Sequence, residues 1–92
     1  MRSFIYVLRT RDVDATVSEL RNRGRRLTPE KHGEGPAHFS FEHAGALFEI
    51  YPANDARPCA RCAGCVEKGR PATVCRACFD ALLSGVPAAP SP

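Results

Sequence analysis

Apolar positions along this chain come in short blocks separated by charged or glycine-containing stretches. Phe4-Ile5-Tyr6-Val7-Leu8 is a continuous apolar run rich in β-branched and aromatic residues. It predicts a strand over residues 3–9 that is buried on both faces. Asp12 suits a helix N-cap, Val13, Val17 and Leu20 follow at helical spacing, and Gly24 supplies a stop behind Arg21 and Arg23. Residues 25–31 read as a weak strand, and Pro29 places it at a sheet edge. Gly33-Glu34-Gly35-Pro36 reads as a turn. The clearest element is a hairpin of residues 37–43 and 46–52 around Ala44-Gly45. A two-residue turn there sets Phe41 opposite Phe48 and Phe39 opposite Ile50, giving an apolar face for the helix. The other face then pairs His38 with Tyr51 and Ser40 with Glu49.

After a linker at 54–58 the composition changes. All five cysteines fall in the last third, as Cys59-x2-Cys62-x2-Cys65-x9-Cys75-x2-Cys78. Paired CxxC turns around a short basic spacer suit the tetrahedral thiolate shell of a structural Zn²⁺. Cys62, Cys65, Cys75 and Cys78 are the expected ligands, with Cys59 as the spare. A set using Cys59 with Cys62 has the same spacing and stays open. Four thiolates leave no position for water, so such a zinc organises structure and does not catalyse. The spacer predicts a hairpin around Gly69-Arg70-Pro71, and Phe79, Leu82 and Leu83 predict a short helix starting near Cys75 or Cys78. This arrangement resembles a treble-clef or zinc-ribbon finger. Residues 84–92, rich in Pro and Ala, predict a disordered end. The organisation read from the chain is thus an α+β half module over 1–54, a zinc knuckle over 59–83 and a tail.

Charge and length refine this picture. The net charge of +3 comes from the tail, where Arg57, Arg61, Lys68, Arg70 and Arg76 outnumber Glu67 and Asp80. A doubly negative zinc–tetrathiolate unit nearly cancels that excess, which favours compensation of thiolates over attraction of nucleic acid. No apolar run approaches membrane-spanning length, and nothing resembles a signal peptide. A soluble, cytoplasmic protein is expected, and a reducing compartment turns the cysteines toward metal.

The order strand–helix–strand–strand–strand resembles one module of the vicinal oxygen chelate superfamily, which includes glyoxalase I, bleomycin and fosfomycin resistance proteins and extradiol dioxygenases. Asp12-Val-Asp-Ala-Thr is similar to the stretch that opens the family helix. Lys31-His-Gly-Glu-Gly-Pro-Ala-His-Phe-Ser and Phe48-Glu-Ile-Tyr-Pro resemble the last two strands of the module. The resemblance covers about residues 3–53. It implies a concave sheet whose inner face binds a small molecule or a metal. Glu49 matches the glutamate that ligates metal on the fourth strand of a module, so a divalent metal at Glu49 is implied. The position matching the family's first-strand histidine is about Ile5, which cannot ligate. The family site also needs two modules, and this chain has one, so the resemblance implies a homodimer that completes the cup. Where members are catalytic, the chemistry is that of a lyase, isomerase or dioxygenase.

The implied pocket is lined by His38, Ser40, Glu49 and Tyr51. Glu49 and His38 are the candidates for ligation and proton transfer, and Ser40 and Tyr51 for ligand contact. His32 and His43 fall at turns, where exposure is the default. A rival expectation is an interaction module. In it the zinc finger uses Arg61, Arg70 and Arg76 on nucleic acid or protein while the sheet dimerises. Only Phe79 interleaves these basic positions, so the nucleic-acid signal is thin.

Overall fold

The computed structural model describes residues 3–31, 33–35, 37–53 and 57–84. Most of the expected linker at 54–58, His32 and the tail beyond Ser84 lie outside them. The apolar block near the start forms β1 (Ile5–Thr10), followed by helix α1 (Val13–Asn22) and the three-residue strand β2 (Thr28–Glu30). Strands β3 (His38–His43) and β4 (Ala46–Pro52) come next, then β5 (Pro71–Val74) and helix α2 (Arg76–Leu83). The result is a mixed α+β fold.

Local chemistry sets the element ends. The Asp12 side chain accepts a hydrogen bond from the Ala15 N–H at 2.9 Å and so caps α1. Gly24 follows the helix with φ of +88°, where a side chain would be strained. The β3–β4 turn has positive φ at both Ala44 (52°) and Gly45 (79°), which matches the twist of the flanking strands. The expected register follows, with Phe41 opposite Phe48, Phe39 opposite Ile50 and Ser40 opposite Glu49.

All five strands join one sheet in the order β2-β3-β4-β1-β5. β1 is an interior strand and runs parallel to both β4 and β5, with Tyr6 opposite Phe48 on one side and Ala72 on the other. The cysteine segment therefore does more than append a knuckle: β5 continues the sheet. The spacer forms no hairpin around Gly69-Arg70-Pro71, because Pro71 already begins a strand whose partner is the first strand of the chain. β1 offers an apolar, two-sided edge that strong pairing satisfies.

Both helices cover one face. Val17 and Leu20 of α1 and Phe79 of α2 join Tyr6, Leu8, Phe41, Phe48, Ile50 and Val74 in a single core. Phe79 meets Phe48 edge-on at 5.4 Å between centroids and Phe41 at 6.3 Å. Such aromatic contacts add to the area term that drives burial. The opposite face carries Val7, Arg9, His38, Ser40, Glu49, Tyr51 and Thr73, and no helix packs on it among the described residues. Ile5 and Leu47, opposite each other on that face, are half-buried.

Candidate functional site

Two constellations carry chemistry. The first is made by the cysteines. Cys59, Cys62, Cys75 and Cys78 place their sulfurs within 4.8 Å of one another, close enough to hold a metal ion. Backbone pairing explains how. The Ala60 N–H donates to the Thr73 carbonyl at 2.7 Å, which ties the first CxxC turn to β5 just before Cys75. The Cys62 N–H reaches the Cys59 sulfur at 3.4 Å, as expected for a metal-binding knuckle. On the other side Cys75 is the N-cap of α2, and Cys78 lies in its first turn. The positive end of the helix dipole favours both thiolates.

Two of the sulfur separations are close to those of a tetrahedral shell. Zinc–sulfur bonds of about 2.3 Å in a tetrahedron put sulfurs about 3.8 Å apart. Cys62 lies 3.6 Å from Cys78 and 4.0 Å from Cys75. These spacings far exceed a disulfide bond, and all five cysteines are free thiols. The expected set differs at one member. Cys65 is exposed and donates to the carbonyl of Ala63 at 3.5 Å, while Cys59 takes the fourth place. Sequence spacing is degenerate here, because 59–62 and 62–65 are both CxxC. In the structure the Ala60–Thr73 bond holds the 59–62 turn against β5.

Electrostatics within the cluster are strongly unequal. Burial pushes the Cys59 thiol up, but hydrogen bonds from the backbone of Cys62 and Cys75 and from the Cys62 and Cys78 thiols outweigh it and bring its pKa down to about 6. Its neighbour Cys62, hydrogen-bonded first to Cys59 and then to Cys78 and Cys75, is pushed up to about 12. Burial raises Cys78, and the Arg61 guanidinium acts against that rise. Arg61 is buried, and its Nη1 donates to the Cys78 sulfur at 3.3 Å. Sequence reasoning grouped Arg61 with surface cations. The structure makes it an inward charge that compensates sulfur.

The second constellation lies on the open face. Cross-strand register lines up a polar ladder. Glu30 is opposite His38, the His38 ring stacks on Tyr51 at 4.2 Å and 7°, and Tyr51 is opposite Arg9. The Arg9 guanidinium sits 5.8 Å above the Tyr51 ring. His38 is only 1% exposed, and its Nε2 lies 3.5 Å from Glu49 and 3.7 Å from Glu30. Ser40 donates to the Glu30 carboxylate. Burial, then Glu49 and Glu30, raise the Tyr51 phenol, with Arg9 opposing, so Tyr51 keeps its proton and can donate. A cavity of about 190 Å³ opens beside this ladder, lined by Val7, Arg9, Glu49, Tyr51, Arg57, Pro71 and Thr73.

All four residues expected at this pocket therefore share one face. Glu49 and Tyr51 line the cavity, while His38 and Ser40 lie behind them and contact Glu49 and Glu30. Glu30, Arg9 and Arg57 were missed. Glu30 depends on the β2–β3 register, which the glycine-rich turn between them leaves open to sequence reasoning. Arg9 continues the alternation of β1, and that signal was available. Among the described residues only the cysteine group brings three or more ligand atoms within 4.8 Å of one another. Among the described residues Glu49 has no such group around it.

No protein-family model, curated protein or solved structure matches the chain. Among the described residues no helix is long and apolar enough to cross a membrane.

Proposed function

We propose that the protein binds a small molecule on its open sheet face, in the manner of the glyoxalase and bleomycin-resistance proteins it resembles, and that a structural Zn²⁺ fastens its last third to the sheet. One observation carries the first part: Glu49, Tyr51 and Arg9, backed by buried His38, converge on a single cavity. A carboxylate, a phenol and a guanidinium give an acceptor, a donor and a fixed cation to orient an oxygen-bearing ligand. The strand–helix–strand–strand–strand order and the blocks at 31–40 and 48–52 support the family reading. Ile5 stands where the family histidine would be, so binding without catalysis is the reading adopted for a lone chain. A divalent metal at Glu49, and lyase or dioxygenase chemistry with it, would need ligands from a second copy. A homodimer across the open face would supply them and bury Ile5 and Leu47.

The zinc assignment rests on the thiolate set. Borderline-soft Zn²⁺ suits four sulfurs gathered within 4.8 Å of one another, and a filled shell is structural. The rival reading, a finger for nucleic acid or a protein partner, needs outward cations. Arg61 is engaged by Cys78, Arg76 by Glu19 and Asp80, and Arg70 by Glu67. Arg61 is buried against sulfur and Arg76 is paired twice, which leaves Arg70, in an exposed pair with Glu67, as the outward cation of the three.

The test is a thermal-shift screen of catechols and 2-hydroxy acids on zinc-loaded protein, run beside sedimentation. A ligand that stabilises the wild type but not Glu49→Gln supports the reading. If every stabilising compound acts equally on Glu49→Gln, the open-face site is wrong. Binding to oligonucleotides that falls steeply with salt would favour the rival instead.

A further inference from the structure

The four sulfurs of the cysteine cluster differ in what surrounds them. Cys62 and Cys75 are exposed and Cys59 is half-buried, whereas Cys78, in the first turn of α2, is only 5% exposed. Water can solvate a thiolate at the first three positions. At Cys78 it cannot, and a sulfur anion there without a donor would carry the cost of its desolvation. The donor present is Arg61. That residue is itself only 7% exposed, and its Nη1 donates to the Cys78 sulfur at 3.3 Å. Arg61 lies between Cys59 and Cys62, so the first CxxC turn supplies the cation for the second. The turn fixes its backbone: the Gly64 N–H donates to the Arg61 carbonyl at 3.1 Å, and the Ala63 N–H to that of Cys59 at 3.2 Å. The same charge is felt in β1, where burial raises the Tyr6 phenol and Arg61 opposes the rise.

Four thiolates around a divalent ion leave a doubly negative unit, and one buried cation in direct contact halves that excess. Groups one step outside the ligands also fix ligand orientation and tune metal affinity. We propose that Arg61 is a positioning residue of the metal centre: its guanidinium gives the buried Cys78 thiolate the hydrogen bond and the charge that solvent cannot reach it to supply, and so sets the affinity for Zn²⁺. This role rests on the zinc reading above. Arg11 is the contrast. It borders the crevice walled by Cys59 and Cys75, but it is exposed and makes no hydrogen bond to sulfur among the described residues.

The test compares the wild type with Arg61→Leu, Arg61→Lys and Arg11→Leu in the full chain. Zinc affinity is read by competition against a chelating dye, and Co²⁺-loaded samples give the energy of the sulfur-to-metal charge-transfer bands. Arg61→Leu should weaken zinc binding about 10–100-fold, the usual effect of removing an outer partner of a ligand. Its Co²⁺ bands should move to lower energy, because a thiolate that loses a hydrogen-bond donor gives up an electron more readily. Arg61→Lys keeps a charge and a donor and should recover most of both changes. Arg11→Leu should alter neither. A residue needed only for packing would change the affinity but not the bands, and lysine would not rescue it. That pattern overturns the proposal, as does an Arg61→Leu protein whose affinity stays within about threefold of wild type. If Arg61→Leu does not fold, Arg61→Lys decides: zinc affinity near wild type supports the role of the charge, and failure to fold or to bind zinc overturns it. A wild type that folds yet takes up no metal would instead refute the zinc reading itself, and the role of Arg61 with it.

Discussion

Replacing Cys59 and Cys65 in turn separates two shells that look alike in sequence. In the structure Cys59 has its sulfur among those of Cys62, Cys75 and Cys78, whereas Cys65 points to the Ala63 carbonyl. Structural zinc sites of this class bind with about 10–16 kcal/mol of apparent free energy at neutral pH. Divided over four thiolates, each ligand carries about 2.5–4 kcal/mol, or about a hundred- to a thousandfold in Kd. Serine offers a poorer, harder donor, so Cys59→Ser should lose most of its share. Cys65→Ser should change affinity by less than about threefold, the size of an ordinary surface substitution. Competition against a chelating dye gives the zinc affinities directly. Co²⁺ substitution gives a second readout, since four-thiolate and three-thiolate sites differ in the intensity of their sulfur charge-transfer bands. If Cys65→Ser releases the metal and Cys59→Ser retains it, the assignment is reversed. If neither matters, the cluster does not hold metal.

Three further outcomes follow from other parts of the fold. Zinc displaces protons from thiols, and Cys59, with its pKa near 6, has already lost its proton above that pH. The slope of log affinity against pH should therefore become steeper by about one below pH 6, measured by competition titration over that range. Phe79 is fully buried between Phe41 and Phe48, and Phe79→Ala should cost about 3–5 kcal/mol in urea unfolding of the zinc-loaded protein. Ala44 adopts a left-handed φ of 52° next to Gly45, so Ala44→Asn should raise stability by about 0.5–1 kcal/mol, or a few degrees in Tm.

The hairpin was legible because alternation and a two-residue turn fix each other. Once Ala44-Gly45 is the turn, Phe41 must face Phe48 and Ser40 must face Glu49. Helix α1 was legible for a similar reason, its cap, stripe and stop agreeing at Asp12, Val17 and Gly24. The cysteine segment was harder. Its thiol chemistry was plain, but a run of three equally spaced cysteines carries no mark of which pair turns inward. In the structure the Cys59 turn is tied to β5 by a backbone hydrogen bond between Ala60 and Thr73, residues with no distinguishing side-chain pattern. β5 was hidden as well. Pro71-Ala-Thr-Val is too short to signal a strand, and its pairing with β1 is set by the free edge of a distant element. Arg61 shows the converse error: charge suggests solvent, but a sulfur partner brings it inside.

The position of β1 between β4 and β5 has a consequence for synthesis. β1 leaves the ribosome well ahead of β5 and must wait for it before its second side is matched, since Ile5 lies opposite Pro71. During that wait the nascent chain presents a bare ladder of amide and carbonyl groups, the kind of template on which neighbouring polypeptides aggregate or exchange segments. Zinc capture by the cysteines on either side of β5 would shorten the exposure, making metal supply during translation a determinant of yield.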